Sequence, residues 1–281
     1  MPIDLDEYRK TSYESWDRIA ANWEAEREFL WAGSGVVGQR LVERLDPQPG
    51  DTVLELAAGT GDTGFLVASR IGDSGKLIST DFAPSMVEAA RGVGTQLGLG
   101  NVEHRVMDAE NLDLEDSSVD RVVCRWGYML MADPAAALAE TRRVLKDGGR
   151  LAFAVWAGPE KNPWASIPGI ALVQRGHLPA PEPGAPGIFA IADPDRIRAL
   201  VRSAEFGEPE IEQVEVSWPI DSADEHWNLM VMRLAGPLAD AIGRLDESER
   251  EEIRNEVRSG IEPVIEEHGS IPGVSHVVTT S

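Results

Sequence analysis

The chain has 281 residues, 42% of them hydrophobic, and a formal net charge of −22 at pH 7. Its length allows one large domain or a domain with an attached cap, which we favour, and no apolar stretch approaches the roughly 18 residues of a membrane span. The charge disfavours DNA, RNA and anionic membranes as partners, because nucleic-acid affinity comes largely from lysine and arginine side chains that neutralise phosphates.

The compartment is indicated by the cysteine content and the N-terminus. A single cysteine, Cys124, cannot form an internal disulfide, which fits a reducing cytosol. The first residues are charged and lack the apolar segment of a secretory signal. These observations predict a cytoplasmic protein and leave its oligomeric state open.

The N-terminal segment, residues 1–45, predicts a helical lid. Apolar side chains recur at helical spacing within residues 12–29, with Ser12 as the N-cap. The members of this stripe are Trp16, Ile19, Ala20 and Trp23. The stripe either packs on the core or covers a ligand, and Tyr13 is the tyrosine best placed to turn its hydroxyl toward that ligand. A second helix is predicted from Gly38 to Leu45.

Residues 46–157 are predicted to form an α/β core around a glycine-rich turn. The apolar run Val53–Ala57 indicates a buried strand, and a helix is predicted over Asp62–Ile71. The glycines of the turn are Gly59, Gly61 and Gly64. Such a turn lets a ligand approach the backbone closely and presents free N–H groups, which favour negative charge.

Strands and helices alternate after this turn, which indicates a mostly parallel, doubly wound sheet with helices on both faces. Further strands are predicted over residues 76–80, 102–107, 119–124 and 150–156. Helices between them are expected to begin at Ala83-Pro84 and at Asp133-Pro134, because proline is favoured in the first helical turn.

The remaining chain divides into a proline-rich excursion at 158–193 and a C-terminal part at 194–281. The excursion has at most a helix from Trp164 to Gln174, and loops of this length are usually functional lids or disordered. The C-terminal part predicts a helix that begins at Asp193-Pro194, a strand over Glu210–Ile220, a helical insertion at about 223–268 and a closing strand over Val274–Thr280. The two strands would suit a hairpin-like antiparallel pair added at the edge of the sheet, with a partly helical cap.

Asp81 follows the second predicted strand and adjoins the glycine turn in a doubly wound sheet. The carboxyl ends of neighbouring strands meet at a crevice, so this carboxylate can accept hydrogen bonds from both ribose hydroxyls of a nucleoside. This supports an adenosine-containing cofactor without choosing which one. Because Gly59–Gly64 also fits the G-x-G-x-x-G pattern, an NAD(P)-dependent oxidoreductase is a rival.

Other residues favour a compact mononucleoside site over a dinucleotide site. Asp62 would place a negative charge where a pyrophosphate should lie, whereas as a helix N-cap it would satisfy backbone donors. Asp108, after the third strand, can accept a hydrogen bond from an adenine amine or form a local turn. Phe82 and Met86 can sandwich the ring or belong to the core. Glu55 either orders the turn or touches the ligand.

Four motifs occur in order along the chain. They are Val53–Gly61, Asp81–Met86, Asp108–Glu110 and the stretch Asp116–Trp156. With them the chain resembles the class I S-adenosylmethionine-dependent methyltransferases, most of all the group related to ubiquinone and menaquinone biosynthesis. The resemblance implies a seven-stranded sheet whose last strand is antiparallel, and S-adenosylmethionine as the cofactor. The chain departs from many relatives at Ala57-Ala58, where they carry glycine or cysteine.

The resemblance also implies roles for single residues. Gly59 and Gly61 would flank the methionine part of the cofactor, and Asp81 would hold its ribose. Asp108 with Ala109 would bind the adenine, and Arg125, after the fourth strand, would lie near the methionyl end. The predicted cofactor-binding residues are Tyr13, Trp23, Ala57, Gly59, Gly61, Asp81, Phe82, Met86, Asp108, Ala109 and Arg125.

The predicted activity is methyl transfer to a small acceptor, with a non-catalytic S-adenosylmethionine-binding protein as a further alternative. An apolar acceptor pocket is predicted from aromatic residues, each of which packing explains about as well: Trp16, Trp126, Tyr128, Trp164 and Phe189. The acceptor's identity is not indicated. No general base is assigned, because no histidine lies in a motif, and no metal is expected, because cysteine and histidine lack ligand spacing.

Overall fold

Seven strands form one sheet. They are β1 (Thr52–Leu56), β2 (Lys76–Asp81), β3 (Val102–Val106), β4 (Val119–Arg125), β5 (Leu145–Trp156), β6 (Glu210–Trp218) and β7 (Ile271–Thr280). In the computed structural model their order is β3-β2-β1-β4-β5-β7-β6. Strands β1 to β5 pair in parallel, and β7 is antiparallel to both of its neighbours. The predicted fold class is therefore confirmed.

The structure describes residues 4–182 and 184–281. Residues 1–3 of the predicted lid and Pro183 of the proline-rich excursion lie outside the described residues. The helices are α1 (Leu5–Ala25), α2 (Arg27–Leu45), α3 (Asp62–Ile71), α4 (Pro84–Gln96), α5 (Pro134–Val144), α6 (Pro163–Gln174), α7 (Pro194–Ser203), α8 (Ala223–Glu225), α9 (Gly236–Gly243) and α10 (Glu247–His268). Within the described ranges, no helix is long and apolar enough to cross a membrane.

The N-terminal helices differ from the prediction. The N-cap of α1 is Asp4, whose carboxylate accepts from the backbone N–H groups of Asp6 and Glu7, and Ser12 lies inside the helix. Helix α2 begins at Arg27 and not at Gly38. Its early residues pack on strands from distant parts of the chain, so the local pattern there gives no clear helical stripe.

The C-terminal part of the chain completes the sheet edge as predicted. Helix α8 continues into a π-helical segment, His226–Leu234, and α9 and α10 follow before β7. Helix α10 packs on α6, so the insertion and the excursion form one helical layer. Strand β7 begins at Ile271, three residues before the predicted Val274, because it pairs along the whole length of β6.

Candidate functional site

The glycine turn leaves open space beside its backbone. Ala57 and Gly59 adopt left-handed conformations directly after β1, with φ of 50° and 55°. A Cβ atom built on Gly59 would meet no atom within 4 Å. A ligand can therefore approach the main chain here, as the glycine pattern predicts.

Glu55 orders this turn from beneath. Its carboxylate is buried and accepts from the Gly64 N–H at 2.6 Å and from the Ser79 hydroxyl at 2.8 Å. Burial raises the pKa of Glu55 to about 8, although both hydrogen bonds and the Arg125 guanidinium act in the opposite direction. Of the two roles expected for Glu55, the structure shows the ordering one.

Glu55 should make stability fall as pH rises. The folded protein keeps the proton up to a pKa of about 8, whereas the unfolded chain releases it near the ordinary value of 4.5. Between these values the folded state binds more protons, so each pH unit destabilises it by up to about 1.4 kcal/mol. We expect Glu55→Gln to remove this pH dependence. The free energy of unfolding of the variant relative to the wild type should then rise by on the order of 2–4 kcal/mol from pH 4.5 to pH 8.

Urea unfolding of both proteins from pH 5 to 8 measures this effect. Asp81 is also buried and has a raised pKa, but it is present in both proteins, so the difference between them isolates Glu55. Parallel stability curves for the variant and the wild type would contradict the burial argument.

Asp81 connects the glycine turn to the start of α4. One carboxylate oxygen accepts from the Gly59 N–H at 2.9 Å, and the other accepts from the Ala83 N–H at 3.0 Å. Burial is the largest influence on this group and raises its pKa to about 6. Each oxygen retains a further lone pair, so the geometry is compatible with ribose binding, which stays a prediction.

The residues predicted around adenine differ in exposure. Met86 is 1% exposed and packs with Ile19 and Ala20 of α1, so α1 already covers the surface that was expected to contact the ring. Phe82 keeps part of its ring exposed. One oxygen of Asp108 accepts from the Glu110 N–H at 2.9 Å, which forms the alternative local turn and leaves adenine binding as a prediction. Ala109 beside it is buried.

Helix α1 is tied to the ends of several strands. The Tyr8 hydroxyl donates to the Leu130 carbonyl at 2.8 Å, beyond β4, and Arg9 pairs with Glu110 beyond β3 at 2.8 Å. Tyr13 lies edge-on to Phe82, with ring centroids 6.0 Å apart. No sequence motif indicates Tyr8 or Arg9, because local patterns do not mark contacts between residues so far apart in the chain.

Two tryptophans of α1 belong to the same side of the site. Trp16 and Trp23 meet edge-to-face at 5.3 Å and pack with Phe82 and Met86. The Trp23 indole N–H donates to the Leu234 carbonyl at 3.1 Å, which ties α1 to the π-helical segment. Trp16 was expected among the acceptor residues, but it packs with Phe82 and Met86, which are predicted to contact the adenine.

Asp62 does not cap α3, contrary to the prediction. The N-cap is Gly61, and Asp62 is the first helical residue. Its carboxylate accepts from the Thr60 hydroxyl at 2.8 Å and pairs with Arg27 at 2.6 Å. The side chain therefore joins α2 to the glycine turn, a long-range contact that the sequence does not reveal.

Arg125 ends β4 beside two tryptophans. Its Nη1 donates to Ser34 Oγ at 2.8 Å, and its guanidinium carbon lies 4.9 Å from the ring centroid of Trp126 and 5.8 Å from that of Trp31. Burial lowers the pKa of Arg125, and the neighbouring Asp62 and Glu55 carboxylates partly offset this. The cation therefore lies between the glycine turn and an aromatic surface.

An aromatic cluster occupies the other half of the same sheet edge. Trp156, the last residue of β5, stacks on Trp126 with centroids 4.1 Å apart and meets Trp164 edge-to-face at 5.0 Å. The ring centroid of Trp164 lies 5.6 Å from that of Trp218, the last residue of β6. The structure thus brings together two predicted acceptor residues, Trp126 and Trp164, through a tryptophan that the prediction did not include.

Two other predicted acceptor residues lie elsewhere. Tyr128 is fully buried, its hydroxyl is hydrogen-bonded to Thr141 Oγ1 at 2.6 Å, and its ring packs on Phe153. Its ring and hydroxyl are thus both engaged in the core, and its place in an acceptor pocket stays a prediction. Phe189 is partly buried against the core and has no ring contact with the tryptophans in the described part of the chain.

His226 borders this cluster. Its Nε2 lies 2.8 Å from the Trp164 carbonyl, and its buried Nδ1 has no hydrogen-bond partner in the residues described. Burial lowers the pKa of His226 to about 4, so the ring is neutral at pH 7.

The methyltransferase domain family matches residues 47–162. The aklanonic acid methyltransferase DauC of Streptomyces sp. strain C5 is 37% identical over 117 residues, which are 42% of this chain and 53% of that protein. The ubiquinone/menaquinone biosynthesis C-methyltransferase UbiE of Acidiphilium cryptum is 36% identical over 146 residues, 51% of this chain and 58% of that protein. The chain thus spans little more than half the length of these curated relatives.

A solved structure extends the likeness to the fold. The YcgJ protein of Bacillus subtilis has a TM-score of 0.56 at 17% sequence identity, over 86% of this chain and 96% of that one. The family match contains the glycine turn, Asp81, Asp108 and Arg125. The resemblance inferred from the four motifs is therefore confirmed.

Proposed function

We propose that this chain, whose residues 47–162 are a class I S-adenosylmethionine-dependent methyltransferase domain, moves a methyl group from S-adenosylmethionine to a small apolar or aromatic acceptor. The observation that carries the proposal is the hydrogen bond between Gly59 and Asp81, beside open space at the glycine turn. This hydrogen bond places a backbone that a ligand can approach closely next to a carboxylate that can accept hydrogen bonds from ribose hydroxyls. A nucleoside site requires both features.

The described residues fit the cofactor. Gly59 and Gly61 would adjoin its methionyl part, Asp81 would accept from the ribose hydroxyls, and Phe82 offers a ring face to the adenine. S-adenosylmethionine supplies an activated methyl group on a sulfonium, so the protein has mainly to align the acceptor and exclude water. Helix α1 can exclude water, because it covers this edge of the sheet.

The half-exposed Trp126 and Trp164 support an aromatic acceptor. They flank buried Trp156, so ring faces and edges border the same edge of the sheet as the glycine turn. The relatives are named as an aklanonic acid methyltransferase and a ubiquinone/menaquinone biosynthesis C-methyltransferase, and both names agree with a small-molecule acceptor. We also propose that the protein is cytoplasmic, because its single cysteine, Cys124, is buried and free, as is typical in a reducing compartment.

Calorimetry and a labelled-methyl assay test this function. We expect S-adenosylmethionine to bind one site per chain, NADH not to bind, and label to pass to at least one member of a panel of phenols, quinols, aromatic acids, amines and cell extract. Binding of NADH without binding of S-adenosylmethionine would favour an oxidoreductase. Cofactor binding without methylation of any panel member would favour a non-catalytic protein.

A further inference from the structure

Arg125 is a cation partly withdrawn from water without a carboxylate partner. In residues 4–182 and 184–281 no carboxylate forms an ion pair with its guanidinium, and its one hydrogen bond goes to Ser34 Oγ. A guanidinium has five N–H donors, and removing it from water is costly unless other groups replace the water. The unused donors are therefore available for an anionic ligand.

The protein compensates this cation with ring faces instead of anions. The guanidinium carbon lies 4.9 Å from the Trp126 centroid and 5.8 Å from the Trp31 centroid. Cation–π contacts use the flat face of the guanidinium and leave its N–H edges free. Those edges form a planar fork that matches a carboxylate in two parallel hydrogen bonds.

The site around Arg125 is held in a strained shape. Trp126 has a left-handed backbone with φ of 62°, and its indole N–H is fixed by Ser275 Oγ at 3.0 Å. A Cβ on the next residue, Gly127, would lie 2.7 Å from Cβ of Ala57 in the glycine turn. Strain of this kind persists where surrounding structure enforces it, commonly at ligand sites. Arg125 is thus adjacent to both the cofactor turn and the aromatic cluster.

Charge indicates the side from which an anion would approach. Asp62, on the glycine-turn side, is the carboxylate whose charge acts most on Arg125, since folded Glu55 keeps its proton up to a pKa of about 8. Asp62 is already paired with Arg27 at 2.6 Å. The Asp62 carboxylate disfavours an anion on that side, whereas the exposed parts of Trp31 and Trp126 can contact the apolar ring that would carry the anion.

We propose that Arg125 binds a carboxylate carried by an aromatic acceptor, so that the protein selects aromatic acids over their neutral analogues. This inference rests on the proposed function, since it names the acceptor class of the same site. It assigns Arg125 to acceptor recognition, with the ring of the acceptor against the half-exposed surfaces of Trp31 and Trp126.

Paired probes test this role directly. Benzoate, 2-naphthoate, 1,4-dihydroxy-2-naphthoate and anthraquinone-2-carboxylate are titrated by calorimetry, each beside its primary amide, with and without S-adenosylhomocysteine. In the wild type we expect at least one carboxylate to bind about tenfold tighter than its amide, because the amide offers only a single neutral acceptor. In Arg125→Met the preference should fall to about twofold or less, and Arg125→Lys should keep an intermediate preference because it has charge without the fork.

Arg150→Met is the matched control. The Arg150 guanidinium donates to the Arg44 carbonyl, but Arg150 pairs with Arg121 near the amino end of β4, away from Arg125, so the carboxylate preference should be unchanged. Circular dichroism establishes folding of each variant, and the lysine variant carries the test if the methionine variant does not fold.

Three results would overturn the role of Arg125. They are a wild type that prefers no carboxylate to its amide, a preference that survives in Arg125→Met, and an Arg125→Met variant whose main defect is a loss of S-adenosylmethionine affinity of about tenfold or more. The last result would assign the guanidinium to the cofactor. A protein that selects carboxylates but binds no S-adenosylmethionine would instead refute the proposed function.

Discussion

Replacing Asp81 by alanine is expected to weaken S-adenosylmethionine binding by about 100-fold or more. The substitution removes both predicted ribose acceptors, and hydrogen bonds to a charged group contribute roughly 1.5–3 kcal/mol each. It also leaves the Gly59 and Ala83 N–H groups without their partner, which loosens the two segments that the carboxylate joins. Calorimetric titration with S-adenosylmethionine measures the loss.

Controls separate the ribose contact from general loosening. Asp193→Ala removes an N-cap carboxylate at the start of α7 and should leave cofactor affinity unchanged. Asp81→Asn should be intermediate, because the amide keeps only one acceptor oxygen. Wild-type affinity should also decline below pH 6, as the carboxylate, whose pKa is about 6, takes up a proton. A folded Asp81→Ala protein with unchanged affinity would reject the ribose assignment.

Gly64→Ala is expected to have the largest effect on stability. The added Cβ would lie 2.1 Å from Oε2 of Glu55, well inside van der Waals contact. The Glu55 side chain cannot move away freely, because it is buried and hydrogen-bonded to Gly64 N–H and Ser79. Overpacking together with the lost hydrogen bonds should cost on the order of 3–5 kcal/mol in the free energy of unfolding, measured with urea.

Gly92→Ala is the matched control within a helix. Gly92 lies in α4, and the nearest atom to an added Cβ is Glu24 Oε1 at 4.0 Å. This substitution should stabilise the protein by about 0.5–1 kcal/mol, as expected for glycine to alanine in a helix interior. The clash also predicts that the effects of Glu55→Ala and Gly64→Ala on the free energy of unfolding are not additive. The double variant should lose less stability than the two single variants together. A cost for Gly64→Ala below about 1 kcal/mol would show that Glu55 can move.

The sequence by itself determined the order of strands and helices in the core and the position of the glycine turn. These features are encoded locally, since buried parallel strands appear as apolar runs and Pro84, Pro134 and Pro194 mark helix starts. Asp81 could be predicted because it follows a strand whose neighbour in the sheet is fixed by the alternation of elements. The family match covers the glycine turn and Asp81.

Only the tertiary structure decided which side chains surround the site. Helix α1 covers Met86, Arg27 pairs with Asp62, and the Tyr128 hydroxyl is bonded to Thr141 in the core, whereas local patterns predict other roles for Met86, Asp62 and Tyr128. The aromatic cluster likewise joins the ends of β4, β5 and β6 with the start of α6. These contacts link residues far apart in the chain, and local patterns of apolar and polar residues do not encode them, because helix docking depends on the whole packed surface.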